Sequence, residues 1–178
     1  MSTVVLYIAT SLDGYIARAD GSFDWLSIVD SQETDYGYAD FYGGIDAIAM
    51  GSRTYEQIVG GFDEWPYSGK RVFVFTHRPL EPVAENVVFV SQSPVEFAKG
   101  LDSAGIHMLW MEGGGDLVAS FMEHRLIDEY IVSVVPIVLG DGIPLFKGPL
   151  PEHRLELLES VDYPSGLVQL HYRNRPDR

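Results

Sequence analysis

Near the middle of the chain an apolar run, Ile106-His107-Met108-Leu109-Trp110-Met111, leads through Glu112 into three glycines, Gly113-Gly114-Gly115. Leu117, Val118, Phe121 and Met122 then follow at helical spacing. This order predicts a buried strand, a tight turn and a helix. Glycine at such a junction lets backbone N–H groups approach a ligand. The start of the helix adds partial positive charge, so a diphosphate suits the turn. Glycine also serves a turn through its dihedrals alone, so a ligand reading needs other segments to complete it.

The rest of the chain repeats the pattern. Thr3 to Thr10 is rich in β-branched and aromatic residues and predicts a buried strand, followed by the turn Ser11-Leu12-Asp13-Gly14. Tyr15 to Trp25 reads as a long loop and Gln32 to Tyr42 as a short helix with Ser31 as its N-cap. Ile45 to Met50 is a second strand, and Gly51-Ser52-Arg53-Thr54-Tyr55-Glu56 opens a helix after it. Strands follow at Arg71 to Thr76 and Asn86 to Val90, then a helix at Pro94 to Leu101 with proline in its first turn. Glu129 to Leu139 is a further strand whose Pro136 marks a bulge or an end. His153 to Val161 and Leu167 to Arg173 form an antiparallel pair through Pro164-Ser165-Gly166. Strands alternating with helices predict an α/β fold with a mainly parallel sheet. Ligands of such sheets bind beyond the carboxyl ends of the strands. Ala9 to Leu12, Gly51 to Tyr55, Thr76 to Arg78 and Glu112 to Leu117 all fall at such ends.

The 178 residues suit one domain, spanning 1–178, with a sizeable core. A net charge of −14 repels nucleic acid and anionic membranes and disfavours polyanionic substrates. No apolar run approaches the roughly 20 residues of a membrane helix, and the start Met1-Ser2-Thr3-Val4 has no signal-peptide pattern. A cytoplasmic location is the expectation. The chain has no cysteine and scattered histidines, so no metal site is expected.

Ala9-Thr10-Ser11-Leu12-Asp13-Gly14, Met50-Gly51-Ser52-Arg53-Thr54-Tyr55-Glu56, Trp110-Met111-Glu112-Gly113-Gly114-Gly115 and Gly140-Asp141-Gly142-Ile143-Pro144-Leu145-Phe146 resemble the dihydrofolate reductase superfamily. The nearer likeness is to the branch containing the reductase domain of riboflavin biosynthesis, and it spans nearly the whole chain in order. The resemblance implies a dihydrofolate-reductase-like sheet, mainly parallel, with antiparallel C-terminal strands and flanking helices. It also implies an NADPH-dependent reductase that carries hydride to a C=N bond of a small heterocyclic or imine substrate, and a homodimer. Ala9 would lie against the nicotinamide, with Trp25 as a further cofactor contact. Gly51, Arg53 and Thr54 would meet the pyrophosphate, and Gly113, Gly114, Gly115, Asp116 and Leu117 would wrap it. Thr76 and Arg78 would face the adenosine ribose and its 2′-phosphate, giving a preference for NADPH. Glu112 and Phe23 would border the substrate. The bond between Gly113 and Gly114 would be cis. Asp35, sixteen residues before Gly51, stands where dihydrofolate reductases often carry a substrate carboxylate, and there a raised pKa would help deliver a proton.

Each residue also has a plainer reading. Ala9 fits strand core, Trp25 a loop anchor, Arg53 and Thr54 a helix start, Thr76 and Arg78 a turn, and Glu112 a strand end. Asp13 reads as a turn former, and Asp35 as part of an acidic helix face with Glu33 and Asp40. The chain departs from the riboflavin branch in two ways. Ser52 stands where many members have arginine and Phe23 where they often have serine. No Lys or Arg lies between Arg18 and Arg53 or between Arg53 and Lys70, the stretches from which those enzymes grip a phosphorylated substrate. The alternative of acting on the phosphoribosyl-aminopyrimidine of riboflavin synthesis is therefore disfavoured. A non-catalytic NADP-binding module is the alternative from another class.

Overall fold

The computed structural model describes residues 1–175. Strands β1 (Thr3–Ser11) and β2 (Tyr15–Ala17) precede a 3-10 segment (Asp24–Val29), helix α1 (Tyr38–Gly44), β3 (Ala47–Gly51) and α2 (Ser52–Gly61). Then come β4 (Arg71–Phe75), β5 (Val87–Val90), α3 (Pro94–Gly100), β6 (Met108–Gly113) and α4 (Gly115–Met122). The chain continues through β7 (Glu129–Val135), β8 (Ile143–Pro144), β9 (Leu155–Asp162) and β10 (Val168–Asn174). One sheet has the order β5-β4-β3-β6-β1-β7-β10-β9, and β2 pairs with β8 separately. Strands β5 through β7 in that order run parallel, while β10 is antiparallel to both β7 and β9. This is the mainly parallel α/β sheet with antiparallel C-terminal strands that the sequence predicts.

Alternation along the strands divides the core into two faces. Leu6, Ala49, Leu109 and Met111 pack with Phe97 of α3 and Phe121 of α4. Ile48, Met50, Val74 and Trp110 pack with Tyr55 and Ile58 of α2 and with Phe41 and Tyr42 of α1. The central strands are therefore apolar on both sides, and β3 is buried over Ala47 to Met50.

Three local readings change. The predicted loop Tyr15 to Trp25 contains β2, because Tyr15 and Ala17 find partners in Pro144 and Ile143, far along the chain. The first helix begins at Tyr38 rather than Gln32. Gly37 precedes it with φ of 78°, a left-handed conformation that cannot continue a helix backward. Ser31 only closes a local turn, accepting from Glu33 N at 3.0 Å. Strand β7 stops at Val135, directly before Pro136, which has no N–H to give the ladder.

Candidate active site

At the carboxyl ends of the parallel strands lies a cleft of about 870 Å³. Its centre is the meeting of two helix starts. Helices α2 and α4 begin at Ser52 and Gly115, directly after β3 and β6. The strand ends lie so close that a Cβ built on Gly51 would be 4.0 Å from Gly114 N. A Cβ on Gly114 would come within 3.3 Å of Thr54 Oγ1, and one on Gly115 within 2.6 Å of the Pro144 carbonyl oxygen. The Gly113–Gly114 peptide is cis, as the resemblance implies. The Gly-Asp-Gly-Ile-Pro motif also acquires a role here: β8 pairs with β2 and lays its Pro144 carbonyl against Gly115. Asp13 secures the same corner. Its carboxylate accepts from Ser11 Oγ at 2.7 Å, Leu139 N at 3.0 Å and Gly140 N at 2.7 Å, and the Ser11 bond, helped by the two backbone bonds, holds its pKa below the ordinary value.

Backbone N–H groups at two helix starts, with Arg53 on the wall, fit the diphosphate of a dinucleotide. The glycines matter because a Cβ would fill the approach. Arg53 and Lys147 flank Asp116 at 3.9 Å and 2.6 Å and offset its charge beside the cradle. Ala9, Gly51, Arg53, Thr54, Gly114, Gly115, Asp116 and Leu117 all border the cleft.

From this centre one arm runs past the ends of β4 and β5. Thr76 and His77 line it, with Ser91, Gln92 and Ser93. Arg78 does not. Its guanidinium stands outside, paired with Glu56 at 2.6 Å, because the side chain points along α2 toward a carboxylate already there. Trp25 is also corrected. Its ring is 2% exposed and packs with Val29, Val135 and Leu167, so it anchors the 3-10 segment rather than walling the cleft. Gly113 lies behind its neighbours, where a Cβ would meet Ile8 at 3.3 Å.

The other arm is built from rings around Glu112. Trp110 and Glu112 are two apart on β6 and share a face, and Tyr7 of β1 joins them. Tyr67, from the loop before β4, donates its hydroxyl proton to Glu112 Oε1. Glu112 Oε2 is buried with no partner, and so are the Tyr42 hydroxyl and the Trp65 indole nitrogen. Burial pushes the Glu112 carboxyl up to about 7, against the opposing bond from Tyr67. Burial and the nearby Glu112 charge raise Tyr38 to about 12 and push Tyr67 far above the ordinary phenol value. Phe23 lies on the cleft wall.

Asp35 plays no part in either arm. It is exposed, and its carboxylate accepts from Gly37 N at 3.0 Å and Ala39 N at 2.9 Å. Those bonds lower its pKa, the opposite of the shift a proton donor needs. A short polar side chain just before a helix satisfies the free N–H groups there, and that local demand outweighs the expected role.

The sequence reading missed Tyr7, Tyr67 and Trp110. Two-residue alternation would have grouped Trp110 with Glu112. Nothing in the sequence marks Tyr67, whose loop comes near β6 only through the sheet order. Among the described residues no helix is long and apolar enough to cross a membrane, and no His, Asp and Glu group could hold a metal.

The RibD C-terminal domain family model matches residues 2–169. Uncharacterized protein YwjB of Bacillus subtilis (strain 168) is 42% identical over 168 residues, 94% of this chain and 95% of that one. Riboflavin biosynthesis protein RibD of Corynebacterium ammoniagenes is 26% identical, and the match covers 83% of this chain but 47% of RibD. Among solved structures, a Shewanella sp. PV-4 protein assigned by name to riboflavin biosynthesis superposes with a TM-score of 0.89 at 31% identity, covering 98% of this chain and 99% of that one.

Proposed function

The chain belongs to the RibD C-terminal domain family, and on that premise we propose that it is an NADPH-dependent reductase that delivers hydride to a C=N bond of a small, unphosphorylated heterocycle or imine. Glu112 carries this reading: it is a buried carboxyl, held by Tyr67 with one oxygen unpartnered, in the same cleft as the glycine cradle. When bound, NADPH supplies the hydride from carbon 4 of its nicotinamide.

The chain supplies position and a proton. The helix starts and Arg53 hold the diphosphate, and Ala9 on β1 borders the nicotinamide. Tyr67 keeps one Glu112 oxygen occupied and leaves the other for substrate. In its acid form Glu112 donates its proton to the imine nitrogen as hydride reaches the carbon. A carboxyl raised to about 7 is matched to that task near neutral pH. The rings around it exclude water.

An unphosphorylated substrate follows from the basic residues. Arg53 is the one Lys or Arg among the cleft residues, and it belongs to the cradle. Arg18 is bound to Asp24 at 2.8 Å, and Lys70 donates to the Ile45 carbonyl at 2.6 Å. We place a homodimer in the same proposal, since Leu155, Leu157 and Leu158 leave apolar surface exposed on edge strand β9. The test is NADPH oxidation with cyclic imines beside the phosphoribosyl-aminopyrimidine of riboflavin synthesis. Turnover of the imines alone is expected. Efficient turnover of the phosphorylated pyrimidine overturns the substrate assignment, and tight cofactor binding without any turnover favours a nucleotide-binding module.

A further inference from the structure

Glu112 presents an unusual electrostatic problem. Its Oε2 is buried without a donor, and Tyr67 already spends its hydroxyl proton on Oε1. The other titratable groups set against it are phenols, Tyr38 and Tyr42 of α1, both shifted up and so neutral. Lys70 lies over the Tyr42 ring at 5.3 Å and is tied to the Ile45 carbonyl. Beyond the Tyr67 hydroxyl, a carboxylate here has no donor or cation paired with it among the described residues, so the charge of its ionised form is balanced only by a ligand.

The surrounding walls favour one sign of charge. Tyr7, Tyr67 and Trp110 border the cleft beside Glu112. Tyr7 and Tyr67 pack around the Trp110 indole with ring centroids 6.1 Å and 5.7 Å away. Ring faces carry negative quadrupole and attract cations. The chain's net charge of −14 draws cations in the same sense.

We infer that this arm selects a cationic substrate, a planar ring whose positively charged iminium nitrogen pairs with the Glu112 carboxylate among Tyr7, Tyr67 and Trp110. The inference rests on the reductase reading and narrows its substrate class. A neutral imine arrives at the same state by taking the Glu112 proton. A permanently charged iminium needs no proton: hydride adds to its carbon, the C=N π pair becomes the nitrogen lone pair, and the charge is cancelled. NADPH leaves as NADP⁺, and the product is a tertiary amine.

The probes are the N-methyl iminium of dihydroisoquinoline and dihydronaphthalene, a neutral ring of nearly the same shape. Binding to the full chain with NADP⁺ present is measured by calorimetry in two buffers of different ionisation heat, and turnover is followed as NADPH oxidation. The iminium is expected to bind at least tenfold more tightly than the neutral ring. Below about pH 7 its binding is expected to release protons, because the cation forces Glu112 to ionise. Glu112→Gln is expected to abolish both the preference and the proton release, while Tyr67→Phe, which keeps the ring, retains the preference. Equal binding of the two probes, or a preference that survives Glu112→Gln, overturns the inference. NADPH oxidation by neutral imines alongside equal probe binding leaves the reductase reading standing. Preferential iminium binding with no oxidation of NADPH by any probe defeats that reading and leaves the cation site.

Discussion

Along the arm past β4 and β5, and at the centre of the cleft, the wall is mostly glycine and polar side chains, with Phe75, Val90 and Pro94 among them; around Glu112 it is aromatic rings and one carboxyl. The first region offers a ligand groups that every residue has, aimed by strand-to-helix turns. It needs little from side chains beyond the absence of a Cβ. The second offers particular side chains brought from β1, β6 and the loop before β4. The cradle is therefore suited to a ligand of fixed chemistry, the diphosphate, whereas the aromatic arm can be retuned by substitution without disturbing the cradle.

The largest expected effect separates the two regions directly. Glu112→Gln should lower kcat/KM for a neutral imine by roughly 10²- to 10⁴-fold with the NADPH dissociation constant unchanged. In the wild type kcat/KM should fall as pH rises through about 7, since the acid form is the active one. A profile that stays flat across that range would remove Glu112 from proton delivery.

The same carboxyl has a stability signature. Its folded pKa lies above the ordinary 4.5, so its contribution is fully present below about 4.5 and is lost as pH rises through about 7. At about 1.4 kcal/mol per unit, the loss is on the order of 3 kcal/mol. Urea midpoints of wild type and Glu112→Gln should therefore diverge between about pH 4.5 and pH 7, in favour of the variant, and stay apart by a constant amount above that. Superposable midpoints at pH 5 and pH 8 would mean that the buried carboxylate finds compensation in the folded chain.

Gly115→Val probes the cradle. A side chain there meets the Pro144 carbonyl, and overpacking of this kind costs about 1–3 kcal/mol. Reduced thermal stability with weakened NADPH binding is expected. Unchanged cofactor affinity would argue that the α4 start is not part of the diphosphate site.

A smaller effect is expected at the far end. The Arg78–Glu56 pair is exposed, and such pairs are weak enough to exchange partners. Arg78→Ala should weaken NADPH by roughly three- to thirtyfold and leave NADH unaffected. Equal titration curves for the two cofactors in the wild type would show that this arm does not read the 2′-phosphate. Asp35→Asn should be the mildest change, slightly lowering the urea midpoint by weakening the turn into α1, with kcat unaltered; a large loss of kcat would restore its expected catalytic role.

Local order along the chain determined the α/β class, the parallel sheet and the cradle. Strand-glycine-helix junctions carry their own signal, because the turn, the helix start and the missing Cβ lie within a few residues. Gly51 to Thr54 and Gly114 to Leu117 were legible for that reason. Tertiary structure alone decided the rest. Asp35 reads as a carboxylate at a family position, yet it is taken up by the N–H groups of Gly37 and Ala39. Arg78 stands at the right strand end, but Glu56, one turn into α2, claims its guanidinium. Tyr67 and Glu112 are 45 residues apart and meet only because β4 and β6 lie on either side of β3. Whether a carboxyl is a solvated strand end or a buried acid depends on which side chains the sheet order packs around it, and desolvation belongs to that three-dimensional neighbourhood rather than to any stretch of sequence.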